Sequence, residues 1–292
     1  MLWLVVRMRG RSDTHARQGN IMEVKTVPAL HGWLWVLHGF ALFRTHPAIW
    51  LLTLLFYWLC LVLVSNLPLI GPLVATAAIP GFSAGFMLAC RAAQKKQVPL
   101  PTLLISPFRT NTQPQIILGV AYTLALALLL AASALIDGGV LFRLMLLGGR
   151  LSEEMVRNSG LQQAGMLALL LYAPVMLAFW FAPALCLWHG MSPIKAVFFS
   201  FFAGVRNTRA FLVYGLGWAL FAGVIPLLLG LILGFVLPRR EGSAALTALI
   251  ITPYMLAVAC AMICSFYSSY VAIFAEPSDG TPAPAAPAAP AA

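Results

Sequence analysis

Acids are scarce in this chain. Eight Asp and Glu stand against eighteen Lys and Arg in 292 residues, and charged side chains of both signs reach only 9%, where a soluble domain carries about 25%. That deficit excludes an ordinary water-exposed globular surface, and with 61% apolar residues the chain is made for lipid. Cysteine is short too. The five thiols all fall in apolar stretches, which leaves no framework of extracytoplasmic disulfides. Cys260 and Cys264 are one turn apart with no His, Asp or Glu beside them, and are expected to be small apolar fillers.

Catalytic signatures are also missing. There is no His-Glu-x-x-His pair, no phosphate-binding glycine loop and no nucleophile elbow with partners. Six apolar segments, 47–65, 72–90, 114–136, 164–188, 210–237 and 244–274, hold no Asp, Glu, Lys or Arg. Membrane enzymes and ion-coupled transporters depend on such groups inside the bilayer. Asp137, just past the third segment, is expected to be a solvated helix end. No catalytic, cofactor-binding or metal-ligating residue is assigned, and the expectation is a protein that is not an enzyme and takes no cofactor. The net charge of +10 does not point to nucleic acid, because the bases are scattered between apolar segments and form no surface with interleaved aromatics.

What is present is length and pattern. Each apolar segment is long enough to cross a bilayer, so the expected fold is an all-α polytopic membrane protein of six transmembrane helices. Ahead of the fifth segment, Ile194, Val197, Phe198, Phe201, Phe202 and Val205 follow Pro193 at offsets 0, 3, 4, 7, 8 and 11, the spacing of one helix face. Lys195, Ser200 and Arg206 fall off that stripe. Such a helix suits the interfacial plane, with its cations reaching to phosphates. Related elbows precede the first segment, at 28–44 with Trp33, Leu34, Leu37, Phe40 and Ala41 on one stripe, and the third segment, at 99–111.

The elbows recur with a signature. Phe43-Arg44-Thr45, Phe108-Arg109-Thr110 and Val205-Arg206-Asn207 stand ahead of the odd-numbered segments, and the even-numbered ones contain Pro80-Gly81-Phe82, Pro174-Val175-Met176 and Pro253-Tyr254-Met255. The expected architecture is three helical hairpins in parallel repeat, each preceded by an interfacial helix and all entering from one side. Pro80, Pro174 and Pro253 are the expected helix kinks, since proline removes a backbone hydrogen bond; Pro183 and Pro226 also lie within segments. Gly81 with Gly85 and Gly230 with Gly234 have the spacing of close-packed membrane helices. Arg44, Arg109 and Arg206 are the candidates for contact with anionic headgroups or a protein partner, and they also serve as plain topology anchors.

Thirteen of the eighteen Lys and Arg fall on one side of this arrangement, which places both termini in the cytoplasm. Residues 1–21, basic and without an adequate apolar run for a signal peptide, are expected to be an upstream extension before a start at Met22, or a basic arm. Residues 22–275 form the membrane domain. Residues 276–292, rich in Pro and Ala, are expected to be a disordered tail.

Val27-Pro28-Ala29, Gly32-Trp33-Leu34-Trp35, Leu42-Phe43-Arg44, Pro68-Leu69-Ile70-Gly71-Pro72, Cys90-Arg91, Trp180-Phe181-Ala182-Pro183-Ala184 and Trp188-His189-Gly190-Met191 carry a resemblance. Over about residues 22–275 the chain resembles a family of uncharacterised bacterial six-span inner-membrane proteins. More loosely, the elbow-then-span unit is similar to the membrane domain attached to some glycerophosphodiester phosphodiesterases, whose separate catalytic domain has no counterpart here. The resemblance implies fold and inner-membrane location, and brings no activity or functional residues. The functional expectation is a non-enzymatic accessory or envelope protein in contact with membrane lipids and an unidentified membrane or cytoplasmic protein. A small-molecule or lipid transporter, with a polar path lined by Tyr57, Tyr122, Thr252 and Tyr254, is the alternative, and a lipid-modifying enzyme the second.

Overall fold

The computed structural model describes residues 24–147, 160–236 and 243–274. The expectations for 1–21 and 276–292 lie outside these residues. Every regular element among the described residues is helical. Six helices are long and apolar enough to cross a membrane: Pro47–Ser65, Gly71–Gln94, Thr112–Asp137, Leu161–His189, Thr208–Val236 and Ser243–Phe274, the first to sixth spans. They overrun the apolar segments by up to a turn, and so bring Arg91, Asp137 and Arg209 into helix. Gly138 and Gly190, at φ 63° and 58°, stop the third and fourth spans in the left-handed conformation that glycine adopts at no steric cost.

The three elbows are helical as well: His31–Phe43, the 3-10 turn Pro101–Leu104 with Ser106–Thr110, and Pro193–Arg206. Each gives way to its span at one residue outside helical geometry, His46 (φ −145°, ψ 62°), Asn111 (φ −138°, ψ 43°) and Asn207 (φ −110°, ψ 20°). Every elbow packs against the even-numbered span that precedes it, and the first closes on the sixth.

These contacts bring backbones close at glycines of the elbows and of the spans. In the first elbow Gly32, Trp35, Val36 and Gly39 are buried, while Leu34, Leu37 and Ala41 of the expected stripe are exposed. A Cβ on Gly32 would strike the Ala210 carbonyl, and one on Gly39 the Ala261 carbonyl, so bare backbone is what lets the fifth and sixth spans approach. The third elbow repeats this: Ala196, Ser200, Ala203 and Gly204 are buried, and Ile194, Phe198, Phe202 and Val205 are exposed. Gly81 and Gly85 of the second span receive Phe108 and the Leu104 backbone of the second elbow, which accounts for their spacing.

Helix continues through Pro80, Pro174 and Pro253. The fourth span is instead interrupted at Phe181, between Leu161–Trp180 and Ala182–His189. There the Ser200 hydroxyl of the third elbow accepts a hydrogen bond from the Phe181 N–H (2.9 Å) and donates one to the Leu177 carbonyl (2.7 Å). It replaces the bond that those two groups would make within a regular helix, and Pro183, two residues on, has no N–H to offer the Phe179 carbonyl. In the fifth span a π-helical turn, Leu220–Val224, precedes Pro226.

Candidate functional site at the elbow end of the bundle

Hydrogen bonds at the hinges draw distant segments to one end of the molecule. Asn207, buried, accepts from the Val27 N–H (2.8 Å) and donates to the carbonyls of Lys25 (3.1 Å) and Ala203 (2.9 Å). The Lys25 N–H continues to the Ile273 carbonyl at 2.9 Å, so the entry to the first elbow, the start of the fifth span and the end of the sixth are fastened together. At the second hinge Gln115, 1% exposed, donates from Nε2 to Asn111 Oδ1 and to the Pro183 carbonyl, each at 3.2 Å, and Asn111 reaches the Cys186 carbonyl at 3.4 Å. That pair binds the start of the third span to the last turns of the fourth.

The even-numbered spans meet above these hinges. The Arg91 guanidinium of the second span lies 5.7 Å from the Trp188 ring of the fourth, and Trp188 meets Tyr270 of the sixth edge-on at 4.7 Å. His189 Nε2 is 2.7 Å from the Tyr270 hydroxyl. The Cys90 thiol points at the Ile263 carbonyl (3.9 Å). Phe181, Leu185, Tyr267, Tyr270 and Ile273 are fully buried around this junction. An arginine over an indole, with tyrosines and a histidine behind it, holds a positive charge at the rim of an apolar core.

Arg44, Arg109 and Arg206 stand beside the hinges, two residues ahead of His46 and of Asn111 and one ahead of Asn207. All three are exposed, and none makes an ion pair among the described residues. Pro80 is buried in the second span, and Pro253 is exposed in the sixth. Of the residues named for a polar path, Tyr57 lies edge-on to Phe82 and Phe86, Tyr122 lies edge-on to Phe179, the Tyr254 hydroxyl donates to the Phe221 carbonyl at 2.6 Å, and Thr252 is exposed. Among the described residues no three His, Cys, Asp or Glu gather as a metal centre would need.

Asp137 corrects the expectation of a solvated helix end. It is 4% exposed, and its two carboxylate oxygens accept the backbone N–H groups of Gly139 (2.9 Å) and Leu141 (2.7 Å). It thereby caps the short helix Val140–Leu147, where the free N–H groups of a first turn favour a carboxylate. Asn207 was in view in the sequence, as the last residue of the third repeat signature, but not its bonds. Asn111, Gln115 and Ser200 carried only one signal, a polar side chain in or beside an apolar stretch.

A probable inner membrane protein of Burkholderia thailandensis is 38% identical to this chain over 268 residues, which cover 89% of the chain and 97% of that protein. The chain belongs to its family. That relative is a probable inner membrane protein by name, and the six apolar helices of this chain agree with a multi-pass membrane location. No family model matches the chain, which leaves the likeness to phosphodiesterase membrane domains without support, and no solved structure matches it.

Proposed function

We propose that this protein is a non-enzymatic, multi-pass inner-membrane protein that works by contact with lipid and protein, with its elbow end and both termini at the cytoplasmic face. The observation that carries the reading is the exposed apolar face of the first and third elbows. Their other face is packed, through Gly32, Trp35, Val36 and Gly39 in the first and Ala196, Ser200, Ala203 and Gly204 in the third, whereas Leu34, Leu37, Phe198 and Phe202, which a soluble protein would bury, are left for lipid or a partner. The orientation follows from the excess of Lys and Arg at the elbow end. The shared hinge geometry and the same elbow-on-span packing in each unit support three parallel repeats of one hairpin.

Photocrosslinkers at Leu34 and Phe198 in native membranes test the contact reading. Adducts with lipid and with a discrete polypeptide are expected. Turnover of a lipid or flux of a solute by the purified protein in proteoliposomes would overturn it. Thiol labelling of single cysteines at Lys96 and Leu69, in opposite turns, tests the orientation: Lys96 is expected to react from the cytoplasm and Leu69 from outside.

A further inference from the structure

Charge is one-sided at the elbow end. Asp137 is the only acid among the described residues; it caps the helix that follows the third span, at the end away from the elbows. Arg44, Arg109, Arg206 and Arg209 are exposed beside the hinges and Lys195 at the start of the third elbow, with no carboxylate among the described residues to compensate them. Those cations are open to anions from outside the described chain, and the third elbow has the shape of one such site.

At about 100° per residue, Ile194, Val205, Phe198 and Phe202 fall within an arc of about 80°. They are 83%, 45%, 58% and 46% exposed, and the Phe198 and Phe202 rings touch, with centroids 4.5 Å apart. Lys195 and Arg206 border the same side of that arc, at about 100° and 120°, and are separated by about 16 Å along the axis. Arg209 follows within a turn of the hinge. The helix thus presents an apolar strip with cations along one rim, while its opposite face is fixed on the fourth span through Ser200 and Gly204. A helix so built lies in the plane of a membrane, its strip among acyl chains and its rim at phosphate level. An acidic protein would match the rim but not the strip.

We propose that the third elbow is a docking surface for anionic phospholipid headgroups, held by Lys195, Arg206 and Arg209. The proposal rests on the contact reading above and names its lipid partner. The test uses the full chain in a neutral detergent, titrated with phosphatidylglycerol, phosphatidylcholine or inorganic phosphate, and read by native mass spectrometry and thermal unfolding. Phosphatidylglycerol is expected to bind and to raise the unfolding temperature more than phosphatidylcholine does, and phosphate alone is expected to do neither. Arg206→Gln is expected to weaken phosphatidylglycerol binding about fivefold, and Lys195→Gln, Arg206→Gln and Arg209→Gln together to erase the preference, whereas Arg206→Lys retains most of it. Equal effects of the two lipids, reproduction of the effect by phosphate, or a preference that survives the triple change would each overturn the proposal. Should the triple variant not fold, the wild-type preference must still collapse in about 1 M salt, and its persistence there overturns the proposal as well. A preference lost only in Arg44→Gln with Arg109→Gln sinks this site and leaves the contact reading standing; no preference in the wild type sinks the lipid part of both.

Discussion

The two ends of the bundle are built differently. At the elbow end the closing turns of the sixth span are packed, with Tyr267, Tyr270 and Ile273 at 0% exposure, whereas Leu249 near its start is 70% exposed. Leu135 of the third span, Leu169 of the fourth and Leu231 of the fifth are exposed in the far half too. The difference follows from the elbows, which close on the spans at one end through backbone approaches at Gly32, Gly39, Gly81 and Gly85, whereas the far end holds, among the described residues, only the short helix Val140–Leu147. Lipid is as apolar as leucine, so spans without close contacts or polar bonds gain little by touching.

Glycine substitutions break this comparison most sharply. Gly39→Leu, set against the Ala261 carbonyl, is expected to destabilise by on the order of 3 kcal/mol or more, while Gly234→Leu, with open space around it, changes stability by less than about 0.5 kcal/mol. Equal losses in thermal unfolding would end the distinction between a packed and an open half. Asn207→Ala should cost about 2 to 3 kcal/mol, because it leaves the Val27 N–H and the Lys25 carbonyl without their partner. Hydrogen exchange at Val27 should quicken while that at Gly139 stays as it was. Asp137→Ala removes a cap at the far end and is expected to cost about 1 kcal/mol, with faster exchange at Gly139 and Leu141. The smallest effect belongs to Tyr254→Phe, which deletes one bond between the fifth and sixth spans, at about 0.6 kcal/mol in thermal unfolding.

The spans were legible because hydropathy over some twenty residues reports the bilayer directly: the first begins and ends where the apolar run does, at Pro47 and Ser65. The third elbow was legible for the same kind of reason, since Pro193 and the Ile194, Val197, Phe198 periodicity are local. The face that each elbow buries was not. Periodicity marks the bulky stripe, and only the neighbours decide whether that stripe meets protein or lipid, so Trp35 and Val36 of the first elbow are buried while Leu34 and Leu37 are not. The bonds of Asn111, Gln115, Ser200 and Asn207 were illegible because their partners lie 19 to 182 residues away or on an adjoining span.

Composition and periodicity alone determined that this chain lives in a membrane, that it crosses six times, and that helices lie ahead of the odd-numbered spans, because each is a local response to solvent. Tertiary structure decided which faces pair, where the fourth span breaks, and that one end is packed and the other open. Those outcomes depend on backbones approaching closely at Gly32, Gly39 and Gly85 and on polar groups finding partners far along the chain, and no window of sequence contains both sides of such a contact.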